Sequence, residues 1–361
     1  MSRKLHIGIV FNEPASISDS QLMQFKTYEN TSIFKSIKKS SSIDLSDVGV
    51  LEARNQIREV LDAEGFETSI FSVDANIEKL LQYISDKAPD IIFNLCEAVH
   101  NVAVYEMYIA GIFELLGVPF TGSGPFTLGL CLQKSLTKQI LSFNGIQMPS
   151  HQIFHNVEDI PNSKLLDEFP LIVKPLREDA SVGIENSSVV YTIDALKKQI
   201  SKIIREYKQP VLVEQFIEGR ELNVAILGNE EPIVLPISEI DFSLLPKNFP
   251  KIVTYKAKWV EDSVEYKGTN GKCPADLPLK IQDNVKSIAM RAFSIMNCRD
   301  YARVDIRLTS NGTPYVLEIN PNPDISIDSG FARSARTFGL EYPQMICKIT
   351  EVALKRAKVV Q

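Results

Sequence analysis

Short apolar runs alternate with amphipathic stretches along the first third of the chain. Residues 5–11, LHIGIVF, form an unbroken apolar run of strand length, the pattern of a strand covered on both faces. From Asn12 to Ser46 the sequence turns polar, rich in Ser, Lys and Asn, and reads as a mobile loop. VGVLEARNQIREVLDAEGF then repeats apolar positions at helical spacing, with Gly65 as its stop. ETSIFSV predicts a strand, IEKLLQYISDK a helix and PDIIFNL another buried strand. This alternation implies an open parallel sheet. The helix YEMYIAGIFELLG and the strand-like VPFTGSG complete a first α/β unit over residues 1–125.

A second unit, residues 126–210, begins with one helix, LGLCLQKSLTKQILSFNG. It continues with strand FPLIVKP, the polar loop REDASVGIE, strand SSVVY and helix IDALKKQISKIIREY. The third unit, residues 211–361, holds the strand-like PVLVEQF, ELNVAILG and PIVLPISEI. A helix follows over Leu277 to Asn297, then a hairpin YARVDIRL-TSNGT-PYVLEIN and a last helix near Tyr342 to Lys355. The fold class predicted is α/β followed by α+β.

Composition narrows the function classes. The 361 residues are 44% hydrophobic and 23% charged, with a net charge of −6, which argues against a nucleic-acid surface. The five cysteines are scattered without CxxC spacing and read as reduced thiols. The N-terminal apolar run is too short for a signal peptide, and no run approaches ~18 apolar residues. No membrane partner is expected, and the default location is the cytoplasm.

The hairpin carries the sharpest chemical signal. If Asn311-Gly312 forms a two-residue turn, Ser310 faces Thr313, Asp305 faces Glu318 and Arg303 faces Asn320. Side chains alternate along a strand. Arg303, Asp305, Glu318 and Asn320 then share one face, and Val304, Ile306, Leu317 and Ile319 cover the other. Carboxylates directly opposite repel, and a divalent cation between oxygen ligands removes that cost. The competing reading is a solvated polar face, since register can slip.

Other segments are weaker alone. Lys174 ends the apolar strand LIVKP, where either a snorkelling surface lysine or a phosphate contact would sit. Small residues in the following loop bring backbone N–H groups within reach of phosphates. There is no GxxxxGK[ST] loop and no GxGxxG after the first strand. Glu214 and Glu221 flank a Gly-containing turn and suit nucleoside contacts, or are ordinary turn carboxylates.

The order FPLIVKP…SVG, VLVEQFIEGRELNVAILG, ARVDIRL…PYVLEINPNP resembles the ATP-grasp superfamily, and within it the D-alanine–D-alanine ligases. ELLGVPFTGSGPFTLGLCLQKSLTKQIL is similar to the matching stretch of those enzymes, and the likeness runs from about Ile91 to Leu340. The resemblance implies ATP clamped between two α+β subdomains, with an N-terminal α/β domain supplying part of the substrate site. Lys134 and Lys174 would contact the ATP phosphates, and Glu214, Ile217 and Glu221 would line the adenine and ribose pocket. Asp305, Glu318 and Asn320 would hold two Mg²⁺ ions, with Mn²⁺ as a substitute. Arg303 would stabilise the transferring phosphoryl group, Lys258 would face the γ-phosphate and Ser181 would cover the phosphates. Ser329 would contact the carboxylate of the attacking amino acid. A homodimer is implied, and residues 12–46 and 176–183 are candidate lids.

The match breaks at the substrate sites. Asp47 stands at the family's first-substrate glutamate, Ala180 at its serine and Trp259 at its tyrosine. FNLCEAVHNVAVYE replaces the HGxxGEDG segment, leaving Glu97, His100 and Glu106 unassigned, and Asp324 replaces a glycine. The expectation is an ATP-dependent carboxylate–amine ligase working through an acyl phosphate, with an amino acid as nucleophile. Its partner would be a carboxylate other than D-alanine, such as a natural-product intermediate. The alternatives are a D-alanine–D-alanine ligase, and an ATP-binding regulator or phosphotransferase without ligation.

Overall fold

The computed structural model describes residues 3–12, 45–73, 76–100, 102–162, 164–178 and 181–360. The loop expected over residues 12–46 lies almost wholly outside them, as does Ala180. The chain divides into two compact units, residues 1–121 with 346–361, and residues 122–345.

In the first unit β1 (His6–Asn12) pairs in parallel with β2 (Glu67–Val73) on one side and β3 (Ile91–Leu95) on the other. The helices α1 (Leu45–Ala63), α2 (Ile77–Lys87) and α3 (Glu106–Leu115) complete the expected alternation. Asn76 caps α2 by accepting from the Lys79 N–H, which satisfies one donor of the first turn. Residues 118–124, read as strand-like, make only a bridge from Phe120 to Ile92.

The second unit contains two sheets. Its first helical segment is broken into α4 (Pro125–Leu132) and α5 (Lys134–Phe143), where a single helix was expected. Gln133 leaves the helical region at φ −83°, ψ 75°, and the Thr137 hydroxyl donates to the Leu130 carbonyl at 2.8 Å across the break. Lys134 and Lys138 thereby fall one turn apart at the start of α5, on one face.

The four-stranded sheet has the order β4 (His151–Phe154), β7 (Val211–Gln215), β5 (Leu171–Pro175), β6 (Val189–Val190). Leu171, Val173, Val211 and Val213 share a core with Leu196, Ile200 and Ile203 of α6 (Ile193–Tyr207). Those three positions follow the helical period, and Thr192 caps the helix by accepting from the Ala195 N–H. Burying each such side chain contributes about 1.5–3 kcal/mol. The alternate positions Lys174 and Glu214 lie on the opposite face. Strand β7, expected with the later segments, pairs here with β5.

The larger sheet runs β11 (Asn270–Lys272), β10 (Ser238–Asp241), β8 (Arg220–Leu227), β12 (Tyr301–Leu308), β13 (Pro314–Asn320), with β9 (Ile233–Val234) beside β8. One face, including Leu222, Val224, Ile226, Val304, Ile306, Val316 and Ile319, packs on α9 (Leu279–Ile295). Two short helices precede α9, α7 (Tyr255–Trp259) and α8 (Val264–Lys267). After the hairpin come α10 (Gly330–Phe338) and α11 (Tyr342–Val360). Among the described residues no helix is long and apolar enough to cross a membrane.

The hairpin reaches its expected register by a different route. Thr309 pairs with Thr313 through a 3.1 Å backbone hydrogen bond, so the loop has three residues, with Gly312 at φ 82°. This is a loop length at which glycine takes the left-handed position. It shifts the pairing by one, to Ile306 opposite Val316. A bulge at Leu317 shifts it back, so that Asp305 faces Glu318 and Arg303 faces Asn320. Val316, not Leu317, therefore fills the core face.

Candidate active site

The other face of the larger sheet, partly covered by α10, is polar because every second residue across β8 and the hairpin is. Across β8, β12 and β13, Asn223, Asp305 and Glu318 stand in one row, with Glu221 opposite Arg307 in a neighbouring row. Asp305 is the hub. Its Oδ1 accepts from Arg303 Nε at 2.8 Å and Asn223 Nδ2 at 2.7 Å. Its Oδ2 accepts from Arg303 Nη2 at 2.9 Å and Asn320 Nδ2 at 3.0 Å. Burial by itself lowers the Arg303 pKa, but Asp305 and then Glu318 outweigh it and hold the guanidinium above its ordinary value. The hairpin thus brings together all four residues singled out there.

This donor set fits a divalent cation on its chemistry. Asp305 and Glu318 are carboxylates facing each other, and Asn320 carries an amide oxygen. Four donors fill the four acceptor positions of Asp305, so a cation must displace one. Turning the Asn320 amide by 180° does this, withdrawing the N–H₂ and presenting oxygen in its place. Hard divalent cations take such all-oxygen sets and keep several waters or phosphate oxygens.

Lys174 and Glu214 meet on the face of the smaller sheet opposite that core, with Lys174 Nζ 2.7 Å from Glu214 Oε2. On the other side Lys138 Nζ lies 2.6 Å from Glu214 Oε1. Burial pushes the Glu214 carboxyl up, but Lys138 and Lys174 outweigh it and bring its pKa down to about 2. Burial lowers the Lys138 pKa, and Glu214 offsets part of that fall. Lys138 also donates to the Leu317 carbonyl at 2.9 Å, the residue set apart by the bulge. Lys134 donates to the Glu178 carbonyl at 2.8 Å, in the loop after β5.

Glu221 pairs with Arg307 at 2.9 Å. Burial raises the Glu221 pKa, and Arg307 offsets part of the rise. Arg307 also donates to the carbonyls of Gly219, at 3.0 Å, and Lys251, with its guanidinium 5.6 Å from the ring centres of both Phe216 and Phe242. Gly219 is required in this turn, because a Cβ there would lie 2.1 Å from the Leu308 carbonyl oxygen. Ile217, in the same turn, is buried.

Among the described residues, the remaining expected ones make no ion pair with these groups, although Asp324 adds to the negative charge that holds the Arg303 guanidinium above its ordinary value. Lys258 Nζ rests 4.7 Å above the Trp259 ring on α7, which Thr254 caps. Ser181 sits at φ 63° in the loop after β5. Ser329 caps α10 by accepting from the Ala332 N–H at 3.1 Å, leaving its own O–H to donate. Asp324 Oδ1 accepts from the N–H and hydroxyl of Ser326. Asp47 lies in α1, and its side chain is outside the described residues. In the first unit, the Glu97 N–H donates to Asn12 Oδ1 at 2.8 Å, Glu106 is buried and His100 has φ 52°.

Three residues were not singled out from sequence: Lys138, Asn223 and Arg307. The signals were present. Lys138 follows Lys134 by one helical turn, Asn223 follows Glu221 by two on one strand face, and Arg307 follows Asp305 likewise.

The family model described as D-ala D-ala ligase C-terminus matches residues 141–351. An uncharacterized protein of Sinorhizobium fredii, y4sG, is 33% identical over 297 residues, covering 81% of this chain and 84% of that protein. A D-alanine–D-alanine ligase of Acetivibrio thermocellus is 30% identical over 311 residues, 83% of this chain and 78% of the enzyme. Among solved structures, the D-alanine–D-alanine ligase of Bacillus anthracis complexed with ATP superposes with a TM-score of 0.72 at 22% identity, over 99% of this chain and 100% of that one.

Proposed function

The chain belongs to the D-alanine–D-alanine ligase family, ATP-dependent ligases of the ATP-grasp fold, and from that premise we propose that it joins two amino acids, with D-alanine as both substrates. The relatives named as D-alanine–D-alanine ligases favour this reading over the one preferred from sequence, a different carboxylate. The observation that carries the chemistry is the Asp305–Glu318 pair beside Arg303.

In the proposed reaction a carboxylate oxygen of the first substrate attacks the γ-phosphorus, and the bond to the bridging oxygen breaks to release ADP. The amine of the second substrate adds to the acyl carbon and loses a proton. Inorganic phosphate leaves, carrying the former carboxylate oxygen. Mg²⁺, or Mn²⁺, held by Asp305, Glu318 and Asn320 would neutralise phosphate charge during transfer. Lys134 and Lys174 take the ATP phosphates, with Glu214, Ile217 and Glu221 at the nucleoside. Arg303, forked and permanently charged, meets the transferring group. Lys258 and Ser181 reach the phosphates once their segments close over the site, which also keeps water from the acyl phosphate. The Ser329 hydroxyl donates to the carboxylate of the attacking amino acid.

A second reading rests on Trp259 and Asp324. An indole in place of a phenol loses a hydroxyl at the first pocket, and Asp324 adds a carboxylate near the second. A polar network deprived of a partner binds its old ligand less well, so a bulkier first carboxylate is the alternative. Phosphate release from Mg-ATP separates the two readings. Release with D-alanine alone supports the first, and release only with another carboxylate supports the second.

A further inference from the structure

Lys138, Glu214 and Lys174 form a buried group of two ammonium ions and one carboxylate, and only one of the three reaches solvent. The side chains of Lys138 and Glu214 are 3% and 1% exposed, that of Lys174 21%. Lys138 is held from two sides, by Glu214 at 2.6 Å and by the Leu317 carbonyl at 2.9 Å, and cannot meet a ligand without unpacking α5. Among the described residues Lys174 makes one ion pair, with Glu214 at 2.7 Å, and it stands next to the end of β5, at the loop that follows.

A buried carboxylate stripped of its only cation is strongly disfavoured. If Lys174 were the sole partner of Glu214, turning its ammonium toward a phosphate would carry that penalty. The second cation removes it.

We propose that Lys138 is a positioning residue: it keeps Glu214 compensated, so that the ammonium of Lys174 is free to turn to a phosphate of the bound nucleotide. The inference rests on the nucleotide-binding reading above. It makes Glu214 the residue through which Lys138 acts, and so predicts a coupling between the two that simple loss of packing would not produce.

The experiment is a double-mutant cycle read by Mg-ATP binding in calorimetry, with thermal melting of each variant as a folding check. In wild type, Lys138→Met weakens Mg-ATP binding tenfold or more, because Lys174 is now pinned to Glu214. In the Glu214→Gln background no carboxylate remains to pin Lys174, and the same Lys138→Met change has less than a threefold effect. Equal losses in the two backgrounds, or no loss in the first, overturn the proposal. Lys138→Arg keeps the cation and retains binding within threefold; a tenfold loss there overturns the proposal even should the Met variant fail to fold. Absence of Mg-ATP binding in wild type would instead defeat the nucleotide reading itself.

Discussion

Asn320 donates its amide to Asp305 Oδ2 at 3.0 Å, diagonally across the hairpin. The same side chain must reverse to offer oxygen to a cation. Asn320→Asp replaces the donor with a third carboxylate beside Asp305 and Glu318. Like charges in contact destabilise a sheet, so the metal-free variant melts below wild type. Mg²⁺ then raises its melting temperature by more than it raises that of wild type. An unchanged metal-free melting temperature would contradict the geometry.

Glu318 makes no hydrogen bond or ion pair among the described residues, and it faces Asp305. Removing its charge relieves repulsion with Asp305 in the metal-free protein and removes a proposed metal ligand. Glu318→Gln is expected to melt close to the wild-type temperature without metal, since the repulsion lost with Asp305 is offset by the attraction lost to Arg303. Its turnover falls by about 100-fold or more, the order seen when an electrostatic stabiliser of a transition state is lost. Melting scans and a Mg²⁺ titration of phosphate release check both halves.

The pH dependence of stability follows from Glu214. Its carboxyl is held at about 2 in the fold, against an ordinary glutamate value of 4.5. A depressed carboxyl stabilises fully above the higher value, and the stabilisation is lost as pH falls through the window toward the lower one. Wild type therefore loses stability between pH 4.5 and 2 through this group. Glu214→Gln lacks that component, and at neutral pH it costs about 3–5 kcal/mol by leaving Lys138 uncompensated. Denaturant unfolding of the pair at successive pH values should show the difference narrowing on acidification.

Arg307 spreads its N–H groups over Glu221 and the carbonyls of Gly219 and Lys251. A lysine cannot reproduce that planar fork. Arg307→Lys is expected to raise KM for ATP several-fold with a smaller change in kcat, since Glu221 keeps a cation but loses its orientation. Arg307→Leu leaves Glu221 buried without its partner and costs about 3–5 kcal/mol of stability. Steady-state kinetics and urea unfolding distinguish the two effects.

Much of this site was legible because strand alternation is strict. Arg303, Asp305, Glu318 and Asn320 were placed on one face from a turn signal and a count. The count was right for a reason the sequence conceals: a three-residue loop and a bulge at Leu317 shift the register in opposite directions. The loop is closed by hydrogen bonds among Thr309, Asn311 and Thr313, and the bulge leaves Val316 rather than Leu317 in the core; apolar alternation marks neither. The break at Gln133 was hidden likewise, because its neighbours keep helical spacing on both sides. The roles of Lys138 and Arg307 are long-range. Each answers a carboxylate distant in sequence, at Glu214 or Glu221, and a one-dimensional pattern gives such partners no mark.

In the proposed reaction a carboxylate is activated by phosphorylation and then taken by an amine. D-Alanine labelled with ¹⁸O in its carboxylate, incubated with the protein and Mg-ATP, tests it directly. Transfer through an acyl phosphate yields ADP, a dipeptide, and inorganic phosphate carrying one ¹⁸O for each peptide bond formed. Peptide formed with unlabelled phosphate, or ADP released without any peptide, would contradict it.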